Sequence, residues 1–197
     1  MTHLSLPPQI NVTTPLALKH RNQPFRVQGF LIHAMGEFID LDNGPVHATT
    51  FLKNIGLSAH FFIKPDGSIE QQVDCDFGAN HAGESTFNGL NGLNNSFLGV
   101  ELLVEGAHTL GSLKQAMERN PYSLAQIDAL AALIASAKKK YGFNDDMVTG
   151  HSIVSPGRKF DPGPQIITAN NAYSDQFQHA MGKWDNFFDS ETMSKAA

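Results

Sequence analysis

A single cysteine, Cys75, stands in a chain of 197 residues. That excludes an intrachain disulfide and any cysteine-rich zinc knuckle. A reducing compartment and a disulfide-free exported protein both accommodate it. Asp76 follows the thiol and disfavours a thiolate, so an inert cysteine is expected. No apolar run approaches the ~18 to 20 residues that a membrane-spanning helix requires. The N-terminal stretch MTHLSLPPQINVTTP has neither a basic region nor an unbroken apolar core, which argues against a secretory signal peptide. Basic blocks are missing too: 14 lysines and arginines face 19 acidic residues, a net charge of −5. Nucleic-acid and anionic-membrane binders need a concentrated basic surface, so neither partner is expected. The one short run, Lys138-Lys139-Lys140, reads as a helix end. Neither an internal repeat nor a shift in composition divides the chain.

What is present is a core and an excess of histidine. A hydrophobic content of 41% with 17% charged residues supports one sizeable domain, and nine histidines exceed what packing needs. Residues 1–26, with Pro7, Pro8, Pro15 and Pro24, read as an extended arm laid on the domain. Residues 27–170 form its body and 171–197 a C-terminal helix and tail. The run VQGFLIH (27–33) predicts a buried central strand ending at His33, then a loop over 34–44 and a short helix opened by Pro45 and closed near Gly56. LSAHFFIKPDGSIEQQV (57–73) predicts a hairpin about Lys64-Pro65-Asp66-Gly67. After a Gly- and Asn-rich irregular stretch (74–96), FLGVELLVEG (97–106) predicts a second buried strand, and 107–121 a long connection. A helix over 122–142 carries a Ser123/Gln126 capping box, three lysines in its last turn and Gly142 as its stop. Residues 147–149 predict a strand leading into His151, and the stripe Phe177, Met181, Trp184, Phe188 a docked terminal helix. This order indicates an α/β single domain: a central mixed β-sheet flanked by helices, with long loops at one edge.

The segment GHSIVSPGRKFDPGP (150–164) concentrates reactive side chains on a stiffened backbone. Pro156, Pro162 and Pro164 restrict the turn that carries Arg158, Lys159 and Asp161 after His151. Two imidazoles and a carboxylate make a usable zinc ligand set with one position open. His151 and Asp161 supply two of them, and His33, at a strand end, is the natural third. Such a zinc acidifies bound water towards a pKa of ~7 and polarises a carbonyl. Amide hydrolysis then needs a base and an oxyanion stabiliser. Glu101, enclosed by Val100 and Leu102, is the best base, because burial raises its pKa in the useful direction. Lys159 is the best stabiliser, with pairing to Asp161 as its structural alternative. Glu37 reads as a solvated charge and His60 as a hydrogen-bonded core histidine. His3, His20, His47, His108 and His179 read as surface residues.

FLIHAMGE (30–37), LSAHFFIKPDGSIEQQV, His81-Ala82-Gly83, FLGVELLVEG and GHSIVSPGRKFDPGP together resemble the zinc-dependent N-acetylmuramoyl-L-alanine amidases (type 2 amidases). Relatives of that family include peptidoglycan recognition proteins and phage T7-type lysozymes. The segments keep the family's order across residues 30–164, and the likeness is strongest to the AmpD-type branch. The resemblance implies an amidase-type fold, one catalytic Zn2+ on His33, His151 and Asp161, Glu101 as acid/base and Lys159 as transition-state lysine. It implies hydrolysis of the amide between N-acetylmuramic acid and L-alanine in peptidoglycan or muropeptides. The agent would be a cytoplasmic monomer, or an endolysin-like protein exported without a secretory signal. His81, Asn94 and Arg158 match positions expected to touch the muramyl peptide, Arg158 through a bidentate carboxylate pair. Ala59 and Asp161 stand where the lysozyme and recognition-protein branch has tyrosine and cysteine, which favours the Glu101 route over a tyrosine-dependent one. Ala34 and Asn80 depart from the asparagine after the first ligand and the aromatic before HAG that the family often carries. The alternatives are an inactive peptidoglycan-binding module and a zinc amidase for another N-acyl amide. The first typically loses a metal ligand, and all three are present here.

Overall fold

The computed structural model describes residues 4–196, with side chains through Ser190; His3 lies outside the described residues. In chain order the elements are β1 (Val12–Thr13), β2 (Gly29–Leu41), β3 (Gly44–His47), α1 (Ala48–Asn54), β4 (Phe61–Ile63) and β5 (Ile69–Gln71). There follow β6 (Thr86–Phe87), β7 (Leu90–Asn91), β8 (Phe97–His108), α2 (Leu110–Met117), α3 (Leu124–Tyr141), β9 (Val148–Gly150), α4 (His151–Val154) and α5 (Asp175–Ala196). The main sheet runs β1-β5-β4-β8-β2-β3, with β9 also on β2, and it is mixed, as the sequence predicts. Strands β4, β8, β2 and β9 are mutually parallel. The β4–β5 and β2–β3 pairs are antiparallel hairpins.

Side-chain alternation divides this sheet into two unlike faces. Phe30, Ile32 and Ala34 of β2 and Leu98, Val100, Leu102 and Val104 of β8 join the large core beneath α3 and α5. Helix α3 presents an almost continuous buried surface, from Ile127 to Ala137, because alanines let it lie close to the strands. Its Ser123/Gln126 capping box and left-handed Gly142 are both formed. Phe177, Met181, Trp184 and Phe188 of α5 are all buried against this layer, each worth about 1.5–3 kcal/mol. Residues of the opposite parity line the other face: Met35 of β2 and Leu103 of β8 pack with Ala48 and Leu52 of α1, Leu31 and Phe97 pack with Ala82, Leu93 and Val154, and His33, Gly99 and Glu101 fall between the two groups.

Three expectations need correction. Strand β2 does not end at His33 but continues eight residues further, to Leu41, and turns at Asp42-Asn43 into β3. Gly36 is absorbed where the pairing with β8 shifts register, so it bends the strand instead of ending it. Pro45 lies in β3, an edge strand that tolerates a missing donor, and α1 starts only at Ala48, capped by His47 Nδ1. The connection 107–121 holds a helix, α2, whose Thr109/Ser112 box uses serine where the usual pattern has Glu or Gln.

The buried His60 bridges the layers. Its Nδ1 accepts from the Gly99 N–H at 2.9 Å and its Nε2–H donates to the Phe77 carbonyl at 2.9 Å. Burial pulls its pKa down to about 4. A base with a depressed folded pKa contributes its full stability above the unfolded value of ~6.5 and loses it as pH falls towards 4. Denaturant unfolding of metal-free wild type and His60→Gln at pH 7.5 and pH 5 should show their stability difference shrinking by roughly 2 kcal/mol at the lower pH. An unchanged difference would show that the ring is not held neutral.

Candidate metal centre and active-site groove

Parallel register builds the centre. Ile32 pairs with Gly150, so His151, the next residue after β9, arrives beside His33. On the other flank His33 pairs directly with Glu101, which puts both side chains on the α1-facing side. Asp161 is returned to this row by the proline-rich turn, and its carbonyl accepts from the Ser152 N–H at 2.8 Å. His33 Nδ1 lies 2.8 Å from His151 Nδ1, and Asp161 Oδ2 lies 3.1 Å from His151 Nδ1 and 3.5 Å from His33 Nδ1. All three residues are buried and offer one ligand atom each within 4.8 Å of one another.

Hydrogen-bond partners assign the tautomers. The Phe97 carbonyl can only accept, so His81 donates to it from Nε2 at 3.0 Å. His81 Nδ1 is then an acceptor, and His33 must donate to it from Nε2 at 2.9 Å. His151 Nε2 likewise donates to the Ala82 carbonyl at 3.3 Å. Both rings therefore turn an unprotonated Nδ1 towards a carboxylate oxygen. Three lone pairs converge with no proton among them, an arrangement that a cation stabilises. Two imidazoles and one carboxylate fit zinc and leave a coordination position open. Burial, then the neighbouring His151, lowers the His33 pKa to about 4, so the ring stays neutral at physiological pH.

Glu101 is buried beside this cluster, and its Oε2 has no hydrogen-bond partner. Burial, reinforced by Asp161 and opposed by Lys159, raises its pKa well above the carboxylate norm. Lys159 is exposed on the wall of the same groove, and Asp161 pairs with the two histidines rather than with it. The groove, about 730 Å³, is lined by His33, Glu101, His151, Arg158, Lys159 and Asp161. Phe51 and Leu52 of α1, Ile55 just beyond it and Leu113 of α2 form its apolar walls.

Two residues expected at the muramyl peptide are held by other protein groups. His81 lines the groove, and its ring nitrogens are bonded to His33 and to the Phe97 carbonyl. Asn94 is not on the groove wall; its Oδ1 accepts from the His81 and Ala82 N–H groups at 2.8 and 2.7 Å and shapes the loop behind the metal centre. Arg158 does line the groove, with Nη2 donating to Ala82 O, Glu84 O and Ser155 Oγ. Glu37 is half-buried near the Gly106 N–H and off the groove wall. Cys75 is buried, and burial lifts its thiol to about 12, in keeping with an inert residue. Sequence reasoning missed His108 and Asn80 on the wall. The only signal for His108 was its place just before the Thr109 cap.

Comparison with known proteins follows the same outline. The profile of a family described as N-acetylmuramoyl-L-alanine amidase matches residues 22–164. The 1,6-anhydro-N-acetylmuramyl-L-alanine amidase AmpD of Enterobacter cloacae is 36% identical over 126 residues, 64% of this chain and 60% of its own length. The chain thus spans about 60% of the length of the curated relatives it matches first. A crystal structure of a selenomethionine AmpD derivative superposes with a TM-score of 0.62 at 25% identity, covering 91% of this chain and 98% of that one. The AmiD amidase of E. coli, in complex with the substrate anhydro-N-acetylmuramic acid-L-Ala-D-γ-Glu-L-Lys, shares the fold with a TM-score of 0.55 at 24% identity, covering 74% of this chain and 56% of that one. Among the described residues no helix is long and apolar enough to cross a membrane.

If His81 sets the tautomer of His33, His81→Ala should weaken zinc binding about 10–100-fold in competition with a chromogenic chelator. An unchanged affinity would remove His81 from the metal centre.

Proposed function

The chain belongs to the N-acetylmuramoyl-L-alanine amidase family, and from that premise we propose that it hydrolyses the amide joining the lactyl group of N-acetylmuramic acid to L-alanine in muropeptides. The observation that carries the proposal is the buried Glu101, with one unpartnered carboxylate oxygen, in the same row as three convergent ligand atoms. Zinc held by His33, His151 and Asp161 would supply Lewis acidity for the scissile carbonyl and an acidified water.

The chain's own groups do the rest. Glu101 takes the proton of the attacking water and returns it to the nitrogen of the departing L-alanine. A carboxyl whose pKa lies well above the ordinary range serves both directions of that transfer. Lys159 steadies the negative charge that develops on the carbonyl oxygen. The apolar walls from α1 and α2 exclude water from one side of the groove. Every group invoked comes from one chain, so a monomer suffices, and likeness to the AmpD-type branch favours a cytoplasmic setting. An inactive binding module is disfavoured by the convergence of His33, His151 and Asp161 beside a buried Glu101.

Glu101→Gln should retain one zinc per chain and lose about 10²–10⁴-fold in kcat. Mass spectrometry of products from anhydro-muropeptides should show free L-alanine-terminated peptides with wild type only. A variant of undiminished kcat would displace Glu101 from its role. Intact sacculi, assayed in parallel, report whether polymeric wall is also cut.

A further inference from the structure

The cations around the groove lack acidic partners. The ion pairs seen away from the groove include Lys64–Glu70, Lys138 with Asp145 and Asp185, and Lys183–Asp128. Arg158 bonds only neutral acceptors. Arg21 is half-buried and reaches the wall from the N-terminal arm, where its N–H donates to the Gly78 carbonyl at 2.7 Å. Its Nη1 donates to Asn80 Oδ1 at 2.7 Å, and its Nε is buried without a hydrogen-bond partner. A guanidinium charge thus sits behind the wall with no carboxylate paired to it among the described residues, although the chain as a whole is acidic.

Asn80 is pinned from every side but one. Its N–H donates to Ser58 Oγ at 2.8 Å and its carbonyl accepts from the Ser58 N–H at 3.0 Å. With Oδ1 committed to Arg21, the orientation of the side-chain amide is settled. Its Nδ2 is left with no protein partner among the described residues, on a residue that lines the groove one position before His81. A donor polarised by a cation at its own oxygen is strengthened.

We propose that Asn80 is a specificity-determining contact, donating from Nδ2 to the first carboxylate of the substrate's peptide, the α-carboxylate of its second residue. Arg21 is the positioning residue: it fixes the amide and contributes an uncompensated positive charge behind it. The proposal rests on the amidase reading above.

The test compares N-acetylmuramyl-L-alanyl-D-glutamate with its isoglutamine analogue, in which that carboxylate is an amide, using the zinc-loaded full chain. Wild type should show a KM about tenfold lower for the carboxylate substrate, the size expected for a charge-assisted hydrogen bond. Arg21→Ala and Asn80→Ala should each abolish that preference, leaving kcat on both substrates unchanged, and the double variant should be no worse than either. Arg21→Lys should restore part of it. A wild type without preference overturns the proposal, and so does an Arg21→Ala variant that loses kcat equally on both substrates, the mark of a merely structural role. Hydrolysis of neither substrate by wild type would remove the amidase reading along with it.

Discussion

Two backbone carbonyls decide what the histidines of this protein can do. Phe97 O fixes the proton of His81 and, through it, the proton of His33, while Ala82 O fixes that of His151. The consequence is a pair of unprotonated Nδ1 atoms 2.8 Å apart, facing a carboxylate in a buried pocket. Such a cluster is costly without a cation and well suited to one. Gly99 belongs to this arrangement, since a Cβ there would lie 2.6 Å from the His81 ring and drive it off His33.

The fold supplies that relay through the register of parallel strands. His33, Glu101 and the residue just beyond β9 fall in one row because Ile32 pairs with Gly150 and His33 with Glu101. Parity then matters as much as register. The same strands give every other residue to the core beneath α3 and α5, so the reactive row lies on a rigid support. The other face is covered only in part, by α1 and loops, and its opening is the groove. Burial on this row also sets the acid–base chemistry, lowering His33 and raising Glu101 from one shared cause.

Much of this was legible in the sequence where local rules apply. Ser123 and Gly142 mark the ends of α3 by capping chemistry, and Lys64-Pro65-Asp66-Gly67 marks a turn. His33, His151 and Asp161 could be joined because zinc restricts the ligand types. What escaped were features fixed by long-range partners. Gly36 reads as a breaker until β8 and its register shift accommodate it. Thr109 and Ser112 form a capping box of unusual composition. His81 and Asn94 look like ligand contacts in an irregular loop, yet their partners are main-chain groups 12 to 16 residues away and the ring of His33. No spacing rule encodes such bonds.

The histidine protons themselves are open to direct observation. Nitrogen-15 NMR of the imidazole rings at pH 7.5, recorded before and after one equivalent of zinc, reads each tautomer and each metal bond. His33, His81 and His151 should all appear as neutral Nε2–H rings, and zinc should shift Nδ1 of His33 and His151 while sparing that of His81. A proton on Nδ1 of His33 or His151, or no response of those two atoms to zinc, would contradict the carbonyl-directed metal centre on which the structure's chemistry depends.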